Sequence, residues 1–354
     1  MITKLIILFL MLLSLLVNTG CASWFGGMPK NYDVAPKEDP NAKVEFDRAL
    51  STLDRREFKE SIKLFNAFLK KYPATKYELL AIYNLGVAYE GIGFCKAAIN
   101  RYRRLINQSK GKFKRLEAQG LLRMSYSYEC LGKDTQVVAT LLDLQKRSGV
   151  LPPEVAKAEA PARLAAVYAR LGNTNMAQLE LEKARNGIKE INRSYRNPRV
   201  KKEILSKTFY YMGNMSKYRL NSDSSLAFIQ SLDTLQGYLL KAVEFNNKEW
   251  SPLAQEELMN SYERLWVYTT KENPKVETTE RILSSLLKLK EMRFPDREES
   301  PLIKELFARV SDYENKFKLK LANKEPGVLK TESTLEREKL KLNGRLVSPE
   351  SKEK

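Results

Sequence analysis

Three stretches of the chain carry one pattern: LGVAYEGIGFCKAAINRY at 85–102, MSYSYECLGKDTQVVATL at 124–141 and LAAVYARLGNTNMAQLEL at 164–181. Each opens on a large apolar residue beside a small one, as Leu85-Gly86, Met124-Ser125 and Leu164-Ala165. A tyrosine follows (Tyr89, Tyr128, Tyr168), then a glycine (Gly93, Gly132, Gly172), then Ala98, Val137 or Ala177, and last Tyr102, Leu141 or Leu181. The glycines fall 39 and 40 residues apart, so the pattern is an internal repeat. Its physical sense is helix pairing: small residues let two helices approach, the tyrosines supply buried area, and the glycine makes the turn between them.

An earlier and more divergent unit aligns through Ala49, Phe58, Ser61, Phe65 and Pro73, which gives about four units. The pattern resembles the tetratricopeptide family, whose 34-residue period is shorter than the spacing here. The resemblance implies an all-α fold, a tetratricopeptide-repeat superhelix (α-solenoid) of stacked antiparallel helix pairs. No pair of this kind buries its apolar face alone, so neighbours must share a core.

Beyond the fourth unit the helical period continues while the signature fades. Ala177, Leu181, Ala184, Ile188, Ile191 and Tyr195 mark a helix that runs to Asn197-Pro198. Further stripes at Ile204–Tyr218 and Phe228–Ala242 predict another hairpin, and Ser251-Pro252 and Ser300-Pro301 predict two more helix starts. The expected organisation is repeats over 43–198, further helical hairpins continuing the solenoid over 199–322, and a disordered, charged tail over 323–354.

At the other end, residues 1–20 have one cation, Lys4, and an apolar run from Leu5 to Val17 that is shorter than a membrane span, which is a secretory signal pattern. Val17-Asn18-Thr19-Gly20-Cys21 resembles the lipobox of bacterial lipoproteins, with Asn18 where Leu or Val is usual. That resemblance implies an acylated Cys21 as the new N-terminus. With Ala22-Ser23 rather than Asp after it, it also implies an outer-membrane, periplasm-facing location. Two or more acyl chains anchor a protein stably. Residues 21–42, with Gly26, Gly27, Pro29, Pro36 and Pro40, are expected to be a flexible tether.

Composition restricts the chemistry. The chain has no histidine, which removes every Ser-His, Cys-His or His-zinc constellation. No phosphate loop, Cys-x-x-Cys pair or Gly-x-Ser-x-Gly elbow is present, so no catalytic residue, cofactor or metal is expected. The formal charge of +18, from 61 basic and 43 acidic residues, favours anionic partners. Export argues against nucleic acid and leaves anionic lipid, acidic proteins or wall polymers.

In the tetratricopeptide register the groove positions of the first helices are Phe46, Leu50 and Leu53, then Tyr83, Val87 and Glu90, then Leu122, Tyr126 and Glu129, and finally Ala162, Ala166 and Arg170. An apolar, aromatic groove with a few carboxylates suits a helix or an extended peptide. Cys95 and Cys130 fall at neighbouring helix ends; they form either a disulfide or two small buried thiols. Two basic clusters, Lys110, Lys112, Lys114, Arg115 and Arg193, Arg196, Arg199, Lys201, Lys202, are either solvated faces or contacts for anionic headgroups or an acidic protein.

Lipobox, tether and the first two units together resemble the BamD-like group of outer-membrane assembly lipoproteins. The residues that carry the resemblance are Ala49, Phe58, Ile62, Phe65, Tyr72-Pro73, Tyr83, Leu85, Ala88 and Tyr89. It implies a periplasmic scaffold, lipid-anchored in the membrane, that binds other envelope proteins or peptide segments. The alternatives are a cell-wall or division coordinator, a pilotin-like assembly lipoprotein and, from another class, a divergent peptidoglycan-degrading enzyme.

Overall fold

The computed structural model describes residues 39–214, 224–292 and 300–324. Cys21, the signal segment and nearly all of the expected tail lie outside them. The described residues are all α, and they fall into two compact units: 39–214 with Tyr238–Gln255, and 224–237 with the residues from Glu256 onward.

The first unit is an α-solenoid of tetratricopeptide-type hairpins. Helix α1 (Pro40–Asp54) pairs with α2 (Phe58–Lys71), α3 (Glu78–Gly91) with α4 (Cys95–Ser109), α5 (Lys114–Cys130) with α6 (Asp134–Gln145), and α7 (Ala160–Arg170) with α8 (Thr174–Ser194). Helix α9 (Pro198–Gly213) then packs on α7 and α8. The odd-numbered helices are the A helices of the repeat and the even-numbered ones the B helices.

The same turn joins A to B in all four hairpins. In the second, the N–H groups of Ile92, Gly93 and Phe94 donate to the carbonyls of Tyr89, Glu90 and Tyr89. The third is alike, from Leu131, Gly132 and Lys133 to Tyr128, Glu129 and Tyr128. Gly93, Gly132 and Gly172 take φ of 75°, 64° and 75°, a region that costs a residue with a Cβ about 1–2 kcal/mol. In the first hairpin that place belongs to Arg56, at φ 61°.

Packing follows the sequence pattern. An added Cβ on Gly86 would sit 2.5 Å from the Tyr102 ring, so glycine there lets α3 and α4 close on the aromatic. Tyr102, Phe65, Leu105, Leu141 and Leu164 are fully buried, and each such side chain contributes about 1.5–3 kcal/mol.

The fourth A helix departs from the others. It opens with a π-helical turn, Val155–Glu159, immediately before α7. Pro161 has no N–H to offer the carbonyl four residues back, that of Lys157, so the ladder loosens there. Helix α8 runs directly against this carbonyl, and a Cβ on Gly187 would lie 2.0 Å from Lys157 O. Only glycine fits.

The second unit comprises part of α10 (Ser224–Glu244) and of α11 (Trp250–Lys271), with α12 (Val276–Glu291) and α13 (Pro301–Lys324). Leu232, Leu235, Leu258, Leu265, Ile282, Leu286, Leu289 and Phe317 are buried within it. Gln236 is buried there too; its Nε2 donates to Ser285 O at 2.6 Å, and its Oε1 accepts from Tyr262 OH at 2.7 Å. Ser300 caps α13 as expected, accepting from Ile303 N at 3.4 Å. Ser251 does not cap α11. The helix starts at Trp250, two residues before the expected Pro252, and is capped by Asn247, whose Oδ1 accepts from Glu249 N and Trp250 N at 2.9 and 3.0 Å. The Ser251 hydroxyl donates instead to Ala242 O at 2.6 Å.

Candidate partner-binding face of the repeat stack

The A helices stand side by side and in parallel register, as ion pairs one repeat apart demonstrate. Glu90 of α3 meets Arg123 of α5, with both side chains 3% exposed. Glu129 of α5 meets Arg163 of α7 at 3.1 Å. Between these pairs the Tyr126 hydroxyl donates to the Glu159 carboxylate, which also pairs with Lys207 of α9 at 2.9 Å. The Arg163 guanidinium lies 3.9 Å over the Tyr126 ring, and Lys207 lies 5.4 Å from the Trp250 ring. Arg163 is therefore held by a carboxylate on one side and an aromatic face on another, which offsets its complete burial.

The two buried carboxylates of this line behave oppositely. For Glu90 burial dominates and pushes the carboxyl above its ordinary range, although Arg123 and the Ser127 hydroxyl, donating at 2.7 Å, pull the other way. For Glu159 burial also pushes upward, but Lys207, Arg163 and the Tyr126 hydroxyl outweigh it and hold the carboxyl below the ordinary range. Glu159 has two cations close by where Glu90 has one.

This arrangement narrows the groove that the repeat register predicts. Phe46, Leu53, Tyr83, Glu90 and Leu122 are buried in the stack. Phe46 stacks on Tyr77 at 5.1 Å and meets Phe65 and Phe68 edge-on at 6.0 and 5.7 Å; Tyr83 meets Tyr102 at 6.0 Å. Ala162 and Ala166 are buried as well. Neighbouring helices cover these positions, so the register places them on the inner line without leaving them open. Leu50, Val87, Tyr126, Glu129 and Arg170 keep part of their surface in solvent. Arg170 is tied to Asp134, with NH2 donating at 2.7 Å.

Arg123, Glu159, Arg163 and Lys207, which organise this line, were not among the residues singled out by sequence. For the first three the signal was the separation of 33 or 34 residues between an acid or tyrosine and its partner in the next repeat, as in Glu90–Arg123 and Tyr126–Glu159; Lys207 has no such spacing.

Cys95 at the start of α4 and Cys130 at the end of α5 are joined in a disulfide, with Cα atoms 6.3 Å apart. Of the basic clusters, Lys110, Lys112, Lys114, Arg193, Arg196 and Arg199 are exposed, whereas Lys201 and Lys202 are half-buried. Among the described residues no cluster of His, Cys, Asp or Glu has the grouping a metal ion requires, and no helix is long and apolar enough to cross a membrane.

No family model and no curated protein matches the chain. Solved structures similar to it are repeat proteins. A tetratricopeptide repeat protein from Parabacteroides merdae is 16% identical, with a TM-score of 0.41, over 77% of this chain and 100% of its own. A TPR repeats protein from Bacteroides fragilis is 11% identical, with a TM-score of 0.29, over 78% and 98%. The TPR2AB domain of yeast Sti1, in its pHSP90 complex, is 16% identical, with a TM-score of 0.28, over 77% and 98%.

Proposed function

We propose that this chain is a lipid-anchored envelope scaffold, held at the outer membrane through Cys21, that binds partner proteins along the inner line of its A helices. The observation that carries the reading is the parallel register of those helices, fixed by the Glu90–Arg123, Tyr126–Glu159 and Glu129–Arg163 contacts. A face held in this way presents Leu50, Val87 and Tyr126 at repeating intervals without ordering them on binding, which lowers the cost of association. Apolar and aromatic residues among paired charges suit an amphipathic helix or an extended segment of an envelope protein. Within this reading we assign the scaffold to outer-membrane protein assembly, on the strength of the sequence resemblance.

The test is photo-crosslinking in intact cells. A crosslinker at Leu50 or Val87 is expected to capture a partner, whereas one at Leu142 or Leu179, exposed on the B helices α6 and α8, is not. Capture confined to the B-helix positions would sink the inner line as the binding face. Depletion of the chain is expected to lower the level of outer-membrane barrel proteins; unchanged levels would remove the assembly role and leave the scaffold.

A further inference from the structure

Each hairpin of the first unit has a turn end, where A passes into B, and an open end, where A begins beside the finish of B. A side chain near the start of each A helix bonds across the open end. Glu45 of α1 accepts from Lys71 Nζ at 2.6 Å and Tyr72 OH at 2.9 Å. Glu78 of α3 pairs with Arg104 at 2.8 Å, Glu117 of α5 pairs with Arg147 at 2.6 Å, and Glu154 accepts from Tyr195 OH. These four acids are thus engaged within the hairpins.

The cations are in surplus. Lys110, Lys112 and Lys114 are exposed in and beside the turn from α4 to α5, and Arg193, Arg196 and Arg199 in and beside the turn from α8 to α9. None of these six side chains has an acidic partner among the described residues. Because the A helices are parallel, these turns lie along one edge of the stack. Helix α1 also begins on that edge, since Glu45 in its second turn reaches Lys71 and Tyr72 at the end of α2. The chain therefore enters the folded body at this cationic edge, and Cys21 stands eighteen positions before Asp39.

We infer that this edge rests on the anionic phospholipid headgroups of the membrane that carries the anchor. The inference builds on the assignment of Cys21 as the acylated residue. Exposed lysines and arginines on two of the open-end turns, α4 to α5 and α8 to α9, fit a continuous sheet of negative charge. Each cation near an anionic membrane adds to binding, and a lipid anchor gains from such a second signal. The opposite edge differs: Phe94, Leu131 and Leu171 are 61%, 40% and 48% exposed there, and of its cations Arg55 pairs with Glu57 at 2.8 Å and Arg170 with Asp134 at 2.7 Å, while Arg56, Lys96 and Lys133 complete the set at these turns. A body seated on its cationic edge leaves that apolar edge, and the inner line, clear of the membrane.

The experiment uses the full chain carrying Cys21→Ala, which cannot be acylated, sedimented with vesicles of phosphatidylcholine alone or mixed with phosphatidylglycerol. Binding to the anionic vesicles is expected to be about tenfold tighter or more, and to fall as salt rises. The variant Lys110→Glu/Lys112→Glu/Arg196→Glu/Arg199→Glu is expected to lose that preference. The corresponding glutamine variant, gentler on the fold, is expected to show an intermediate one, and Lys96→Glu/Lys133→Glu is expected to keep it. No preference for anionic vesicles overturns the inference and leaves an acidic protein as the occupant of this edge. A preference indifferent to the open-end variants, or equally reduced by Lys96→Glu/Lys133→Glu, also overturns it. Failure of the anchor is separate: a native chain whose mass carries no acyl group removes the lipid at Cys21 while the vesicle result stands.

Discussion

The two ends of each hairpin in the first unit are built from different chemistry. At the turn end, backbone groups repeat the same hydrogen bonds in every unit around a residue with positive φ. At the open end the backbone has no common form, and closure falls to side chains of changing identity: a lysine and tyrosine, then an arginine, another arginine, and a tyrosine. A turn confined to a few consecutive residues is copied intact from unit to unit. A contact between residues 26, 30 or 41 positions apart drifts in partner and spacing.

The largest test of this contrast is at the turn end. Replacing Cys95 and Cys130 by serine opens a loop with a sequence separation of 35 and is expected to cost about 3–4 kcal/mol, measured by urea unfolding. At the open end, Gly187→Ala forces a methyl onto the Lys157 carbonyl and is expected to cost about 3 kcal/mol, whereas Gly132→Ala at a turn, with nothing within 4 Å of the added Cβ, is expected to cost about 1 kcal/mol. Equal losses for the two glycines would break the distinction.

The inner line gives a smaller and pH-dependent effect. Glu159→Gln weakens charge-assisted bonds from Lys207 and Tyr126 and is expected to cost about 2 kcal/mol at neutral pH. Because the folded state lowers the Glu159 carboxyl, its stabilisation is present above the ordinary carboxylate range and is lost as pH falls through the lowered value. Glu90 has the opposite sign: its carboxyl is raised, so its contribution is fully present below the ordinary range and fades as pH rises through the raised value. Glu90→Gln is therefore expected to flatten the stability profile above the ordinary range, measured by urea unfolding as a function of pH. A profile as steep as that of the native chain would contradict this.

The smallest effects sharpen the contrast most. Arg56→Gly puts glycine where the other three turns have it and is expected to stabilise by about 1 kcal/mol. Glu78→Ala removes a part-exposed latch and is expected to cost no more than about 0.5–1 kcal/mol.

The same division explains what was legible in the sequence. The repeats announced themselves through Gly93, Gly132 and Gly172 because a left-handed backbone position demands one residue type. Arg56 adopts the same turn without that demand showing in its identity. The groove positions that the repeat register predicts lie on the A helices, yet most of them are covered by neighbouring helices. Spacing places Phe46 and Tyr83 on one side of a helix, while burial depends on how closely the next helix lies. Lys207 is illegible in the sequence because no local pattern joins it to Glu159, 48 residues earlier. The π turn had one visible mark, Pro161 inside an alanine-rich helix, and its partner Gly187 carries meaning only once α8 is laid against it. Ser251 failed as a cap because Asn247, equally suited, stands four residues ahead and claims the helix start.

The Cys95–Cys130 bond has a mechanical consequence. It joins the first residue of α4 to the last residue of α5, so it ties one repeat to the next across the turn between them. A scaffold tethered at one end and pulled by a cargo at the other carries tension along its chain. That tension reaches Cys95 and passes through the sulfurs to Cys130, leaving residues 96–129 out of the loaded path. About 34 residues, or roughly 120 Å of extended chain, are thereby withheld from stretching. Under load α4 and α5 together would act as a short link, and the helices on either side of them would yield first.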